Sequence, residues 1–487
     1  MLPECRQEEY LFDIPPCTIE NNNVESFVDE LQKFHNEFKD CFVRSEPRGN
    51  FYDYMVGQLS HLERKSIEPI AVNVKGVNSV RSMQRAISDA VWKEDKILHK
   101  HQALVCKEMG DPNGVMTFDE SGFAKKGDHS AAVGRQYNGE IGKVDNCQVG
   151  VFMGYASPKG YTLLDKRLFV LEKWFKDDYE DKRKKCMFPD DLTFKTKPKL
   201  AAEMYLDLIN RNALPFKYVV ADTIYGNSSA FIDVIESVVG KIYMVSMPFD
   251  TSFWLRDPVT KTHEYKYKGE VGTKTVLAEN EKKPITFAEF AKSIHKCFWY
   301  KRKVSEGTKG PIKYEFTKRN ITLAKDGLPY KNVWLIIKRT VGKNPEYSYY
   351  ISNAPVSTRL KTFVWLSGIR WSVEQCFQEC KSGLGMGHYE VRKYTGWNRH
   401  MLTCMLAHFF LWRIKIKYKD NAPFITLPQI RLLLKAVLPL KTYSTQETID
   451  LVRWVQEKNH KAYLSHRKRI LGMNAPGDDI LMNLVMG

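Results

Sequence analysis

The stretch that decides the reading of this chain is residues 370–385, RWSVEQCFQECKSGLG. At about 100° per residue, Arg370, Glu374, Phe377 and Lys381 share a narrow arc of one helical face, while Glu379 points the opposite way. A guanidinium, a carboxylate and an ammonium therefore line the side that a helix would otherwise bury. An ordinary surface ion pair four residues apart is one account of them. The other is a metal ligand flanked by a phosphate grip, and the rest of the chain has to supply its partners.

With 487 residues the chain exceeds what one core accommodates and implies about two to four domains. Lys and Arg number 74 against 57 Asp and Glu, a formal +17 spread along the whole length. Broad basic surfaces favour a long polyanion as partner, and nucleic acid ahead of a membrane, because no amphipathic anchor or lipidation signal is present. The start, MLPECRQEEYLFDIPP, has acids and prolines where a signal peptide needs a basic and then an apolar run. The longest apolar run, MLTCMLAHFFLW, is too short to span a bilayer. The expectation is a soluble, cytoplasmic protein. Ten cysteines are scattered without a C-x-x-C pair, which argues against a disulfide framework or a zinc module. Cys376 and Cys380, one turn apart and near His388, read as buried thiols ahead of metal ligands.

Residues 1–108 read as helical, in amphipathic stretches such as VESFVDELQKFHNEF and FYDYMVGQLSHLERK, with Arg44, Arg48, Arg64, Lys65, Arg81 and Arg85 among them. A helical DNA-binding region and a structural bundle with a solvated basic face both fit. Over 109–249 the texture becomes strands (GVMTFDESGF, NCQVGVFMGYAS, GYTLLDKRLFVL) and then alternating helix and strand, an α/β sheet of mixed direction. Residues 250–354 lose the helices and read as a separate, β-rich insertion. Helix returns over 355–415, which holds the opening segment, and continues through a C-terminal region at 416–487.

Two acids stand out by placement: Asp119 closes the first apolar strand, and Asp222 closes YVVA. One acid of this kind is ordinarily a turn cap. Two on neighbouring strands project at one sheet edge, and a third from a packed helix makes a cluster that repels itself unless divalent cations fill it. All-oxygen ligation suits two Mg²⁺ ions, with Mn²⁺ as substitute, of the sort that activate water and stabilise the leaving oxygen in phosphodiester cleavage. Glu374 is the third ligand in this reading. Arg370 and Lys381 beside it hold the phosphate, the first bidentately and the second as a point charge. Glu120 faces away from its neighbour Asp119 and is either structural or a support behind the ligands. Lys125, Lys126 and Arg135 form a basic loop above Asp119 that either contacts phosphate or is merely exposed. The run GLGMG follows a helix instead of joining strand to helix, so it is no dinucleotide fingerprint.

On these residues the chain resembles the DDE transposases of bacterial insertion sequences, in the insertion-sequence four superfamily and its seven-hundred-and-one branch. That superfamily carries a Y-x2-R-x3-E-x6-K signature; Arg370, Glu374 and Lys381 match it at the required spacing, and Ser367 stands where the tyrosine would be. FDESGFAKKGDHSAAVGRQYNGEIGKVDNCQVGV resembles the region of the first catalytic Asp and VVADTIYG that of the second. HYEVRKYTGWNRH resembles the stretch after the glutamate helix and adds Arg392 to the expected DNA contacts. The resemblance runs from about position 63 to about position 412. It implies a ribonuclease-H-like core whose insertion precedes the glutamate helix, and Asp119, Asp222 and Glu374 as catalytic and metal-binding residues. It also implies cut-and-paste transfer of a 3′ hydroxyl from terminal inverted repeats into target DNA, by a homodimer that pairs two ends, associated with the bacterial nucleoid when bound. Some relatives stack a flipped base on a tryptophan of the insertion, a part open here to Trp254 or Trp334 and set against ordinary packing. A nuclease without strand transfer and a domesticated, non-cleaving DNA-binding protein remain the alternatives.

Overall fold

The computed structural model describes residues 16–267, 270–307 and 310–470. Residues 1–15, most of the stretch read against a signal peptide, lie outside the described residues, as do residues 471–487 of the C-terminal region.

Five helices lead: α1 (Asn21–Asn36), α2 (Ser45–Leu59), α3 (Ile67–Lys75), α4 (Val80–Ser88) and α5 (Glu94–Met109). They bury their apolar faces against a distant part of the chain. The Phe34 ring of α1 lies 5.6 Å from that of Phe410, and the Tyr54 hydroxyl of α2 meets His400 Nδ1 at 2.8 Å. Amphipathic patterning announced the helices, while the partner they cover came from more than three hundred residues away.

Next come β1 (Val115–Ala124), β2 (Gly134–Asn138), β3 (Lys143–Ser157), β4 (Gly160–Phe169), α6 (Glu180–Cys186), α7 (Lys197–Asn210), β5 (Tyr218–Ala221), the single-turn α8 (Thr223–Gly226), α9 (Ser229–Glu236) and β6 (Ile242–Met247). β1 opens with four buried residues and β5 is buried throughout, as expected of strands covered on both faces. β1, β5 and β6 run parallel, and β3 lies antiparallel between β1 and β4. The order is β4-β3-β1-β5-β6, with β2 paired to the start of β3. α7 begins where Thr196 accepts the Lys199 N–H and a proline occupies the first turn, so its orphan donors are met locally.

The expected β-rich segment holds β7 (Ser252–Trp254), β8 (Thr260–Tyr267), β9 (Glu270–Leu277), β10 (Ile285–Thr286), α10 (Phe287–Ser293), β11 (Tyr300–Gly307), β12 (Gly310–Lys325), β13 (Leu328–Thr340) and β14 (Tyr347–Ser352). Most of it is continuous with the first sheet. β14 pairs antiparallel with β6, Tyr350 opposite Ser246, and β13, β12, β7 and β10 carry the sheet on to twelve strands in all. Only the β8–β9 hairpin forms a sheet of its own among the described residues. Side-chain alternation signals strands, but edge pairing is made by backbone groups that any sequence carries.

The chain then runs through α11 (Leu360–Ile369), α12 (Trp371–Leu384), α13 (Tyr394–Lys417), α14 (Leu427–Val437) and α15 (Thr445–Ile470). α13 is buried on nearly all sides from Gly396 to Trp412, with its polar side chains paired inside the fold, Arg399 with Glu94 and His408 with Glu379; the apolar run MLTCMLAHFFLW is thus core. Among the described residues no helix is long and apolar enough to cross a membrane. α12 stops at Gly385, whose φ of +72° is the left-handed cap that glycine adopts without strain. A Cβ there would also lie 2.5 Å from the Lys65 side chain.

Lys65 corrects an expectation. It is not one of the surface cations of the helical region: its amine is buried and donates to the carbonyls of Gln58, Ser60 and Gly383 at 2.7, 2.6 and 2.5 Å. Loss of water, with Arg431 nearby, pushes its pKa down to about 7. The ammonium thereby meets a last-turn carbonyl of α12 and ties that helix to the N-terminal layer.

Candidate active site

β1 and β5 run parallel with Phe118 opposite Ala221, and the next residue along each is an aspartate, Asp119 and Asp222. Asp119 remains in the sheet, opposite Phe152 of β3. Asp222 leaves it with extended backbone; its carbonyl accepts the Tyr225 and Gly226 N–H groups, and its side chain makes no capping bond. The turn-cap role therefore falls to the backbone of Asp222, and the carboxylate is left for other work.

Cross-strand partners share a face, so Asp119 points the way Phe152 does. The Phe152 ring meets Phe377 of α12 edge-on at 5.2 Å, which puts the glutamate helix over that face. Gly154, opposite Thr117, is what lets it descend: a Cβ there would sit 2.5 Å from Thr117 Oγ1, with Val373 of α12 at 3.7 Å. At the joint of α11 and α12, Arg370 reaches Glu374 at 2.8 Å. Burial pulls the Arg370 pKa down, but Glu374, Tyr350, Asp119 and Asp222 outweigh it and hold the guanidinium above its ordinary value. Loss of water chiefly, helped by Glu120 and Asp222 and opposed by Arg370, pushes the Asp119 carboxyl up to about 7. Three acids and one guanidinium thus share one electrostatic environment.

Glu379 does lie on the other side of α12. It accepts the Tyr161 hydroxyl at 2.9 Å and meets His408 Nε2 at 2.8 Å, packing the helix onto α13. Glu120 is held by Lys197 at 2.9 Å and the Tyr225 hydroxyl at 3.0 Å, and its charge helps to raise the Asp119 pKa. Lys197 and Tyr225 were not anticipated. Tyr225, three residues after Asp222, carried the available signal, since a buried tyrosine seeks a partner for its hydroxyl.

The cations divide. Lys126, Arg135 and Arg392 are exposed. Lys125 departs from the expectation of a phosphate contact: its amine donates to the Tyr389 carbonyl at 2.9 Å and lies 3.4 Å from the centre of that ring, and burial pushes its pKa down to about 8. Lys381 is also engaged, with Glu140 at 2.7 Å and the Gly122 carbonyl at 3.0 Å. Trp254 is buried and donates to the Lys282 carbonyl at 2.7 Å, so it offers no open stacking face. Trp334 is buried too, yet borders a cavity of about 460 Å³ with Arg302, Lys318 and Arg319. Ser367, at the tyrosine position of the signature, is buried and donates to the Val364 carbonyl at 2.7 Å.

The two thiols beside the site are buried and their pKa values raised well above normal by loss of water, which favours packing over metal binding. The nine cysteines among the described residues are all free. No three His, Cys, Asp or Glu side chains among the described residues converge closely enough to hold a metal ion.

Residues 37–311 match the family described as DDE superfamily endonuclease, a span of more than half the chain. The chain belongs to the DDE superfamily endonucleases. The matched span contains Asp119 and Asp222 and ends before Glu374. The chain is 28% identical over 218 residues to a Microchaete diplosiphon protein named the probable transposase for insertion sequence element IS701. The alignment covers 44% of this chain and 51% of that relative, so the chain spans about half the length of the curated protein it matches. The resemblance to the seven-hundred-and-one branch agrees with this relative. Among solved structures, it is similar to the piggyBac transposase synaptic complex with hairpin DNA determined by cryo-EM. That likeness has a TM-score of 0.41 and 10% identity over 88% of this chain and 83% of that one.

Proposed function

We propose that this DDE superfamily member is the transposase of an insertion sequence, which cuts DNA at the element's terminal inverted repeats and joins the freed 3′ hydroxyl to target DNA. The observation that carries this reading is the register of β1 and β5, which sets Asp119 beside Asp222, with Arg370, the ion-pair partner of Glu374, coupled to both. The order β4-β3-β1-β5-β6, in which β3 alone runs against the rest, supports a ribonuclease-H-like core with β7–β14 as its insertion.

The donor set is three carboxylates without thiol or imidazole, which fits a hard divalent cation such as Mg²⁺ or Mn²⁺. Loss of water, with Glu120 and Asp222 nearby, holds the Asp119 carboxyl up against the pull of Arg370, a state that further positive charge would relieve. Asp119, Asp222 and Glu374, which do not converge on one point in this structure, would have to draw together to hold the metal, two ions in the full site. Bound there, it supplies an activated oxygen nucleophile and stabilises the leaving oxygen. With positive charge in the site Asp119 would be held ionised, its proton passing to solvent. Arg370 has donors enough to keep Glu374 on one edge and present the other to a phosphate. Lys126, Arg135 and Arg392 track the DNA backbone without reading sequence. A homodimer that pairs two ends completes the reading.

The test is incubation of the full chain with Mg²⁺ or Mn²⁺ and DNA carrying the inverted repeats that flank its gene. Strand cuts ending in a 3′ hydroxyl, and joining of pre-cut ends to a target plasmid, are expected. Asp222→Ala should bind ends and cut nothing. Cutting without joining would make the protein a nuclease, and end binding without cutting by the unaltered chain would make it a non-cleaving DNA-binding protein.

A further inference from the structure

Beside the carboxylate edge stands a hairpin whose outer face is left exposed by the described residues. In β2 and β3 Tyr137 pairs with Val144 and Arg135 with Asn146, and residues two apart share a face, so Arg135, Tyr137 and Val144 lie together. Tyr137 is 57% exposed, Val144 54%, and Ile141 in the connecting turn 42%. Single exposed apolar residues are commonplace, but three together at the tip of one hairpin mark a contact surface.

The inner side of the hairpin is seated. Asn138 is fully buried against Gly122 of β1, where any Cβ would run into its side chain. Glu140 of the turn is held by Lys381, which also donates to the Gly122 carbonyl. Gly122 is three residues beyond Asp119, roughly 10 Å along the strand, or about three base-pair rises. The apolar tip is thus fixed to both β1 and α12 close to the acids. Of the charges around it, Glu140 is occupied by Lys381 and Asp145 by Lys143 at 4.0 Å, whereas Arg135 has no carboxylate partner among the described residues.

We propose that this hairpin is a wedge for duplex DNA: Tyr137, Ile141 and Val144 press between base pairs a few steps from the cut and unstack them, while Arg135 holds the adjacent phosphate. Apolar side chains set between cations enter duplexes in this way, and a base lifted from its stack finds an aromatic face in Tyr137. The acids alone would meet a straight duplex; the wedge bends it so that one strand lies over Asp119 and Asp222. The assignment rests on the DNA-cutting reading of the site.

The experiment uses the full chain carrying Tyr137→Ser, Ile141→Ser and Val144→Ser, all on exposed positions, with Arg135 retained. It measures cutting of fully paired end DNA and of the same DNA with a run of mismatched bases across the first few steps from the cut. The variant should cut paired DNA about ten- to a hundredfold more slowly and regain most of the rate on the mismatched substrate. A 2-aminopurine placed in that run should brighten with the unaltered chain and stay dim with the variant. Equal slowing on both substrates, no slowing at all, or a change in oligomeric mass instead of cutting would overturn the wedge. Failure of the unaltered chain to cut either DNA would instead overturn the catalytic reading, and brightening of the 2-aminopurine would then still report the wedge.

Discussion

Asp119 and Asp222 are neighbours because Phe118 and Ala221, the residues before them, are paired across parallel strands β1 and β5. Asn at Asp119 would retain the bond that Oδ1 accepts from the Glu120 N–H at 2.8 Å while removing the charge. Asp119→Asn should lower strand cutting at least about a hundredfold and leave the melting temperature unchanged or higher, since a carboxylate with a raised pKa is costly to ionise in the folded state. Loss of cutting together with a large drop in melting temperature would make Asp119 structural.

Glu374 and Glu379 separate by the same logic. Glu379→Gln weakens the contact with buried His408 and should cost about 1–3 kcal/mol of stability, seen in denaturant unfolding, with cutting per folded molecule little changed. Glu374→Gln should do the reverse. If both variants lose cutting with their folds intact, the division of faces on α12 fails.

Lys65→Met should destabilise the protein by about 2–4 kcal/mol, because three buried carbonyls lose their donor. End binding by folded protein should be unaffected, which distinguishes this lysine from a DNA contact. A calorimetric scan and a gel-shift titration of one preparation would decide it.

Acid should loosen the layer of N-terminal helices. Loss of water holds His101 and His400 at pKa values of about 4 and about 3 in the fold, against about 6.5 in an unfolded chain. Between those values the unfolded chain binds more protons than the native one, so stability is complete above pH 6.5 and falls as the pH drops toward 4 and 3. The loss should reach about 3 kcal/mol or more. His101→Gln and His400→Gln should each flatten the unfolding free energy between pH 6.5 and 4; an unchanged slope would assign the acid sensitivity elsewhere.

Much of this was legible in the residues. Apolar runs marked β1 and β5, and helical periodicity put Glu374 and Arg370 on one face and Glu379 on the other. The surroundings of single cations were not legible. Lys65, Lys125 and Lys381 look alike in sequence, and each found its carbonyl, ring or carboxylate partner far along the chain.

The sequence by itself determined which residues could do chemistry, because an acid at the end of an apolar strand and a charged arc on a helix are local patterns of side chains. Only the tertiary structure decided that Asp119 and Asp222 stand side by side, that the β-rich segment extends the same sheet, and that the β2–β3 tip is pinned beside Asp119. Those relations are made by backbone pairing and by contacts across hundreds of residues, which leave no periodic trace in the order of amino acids.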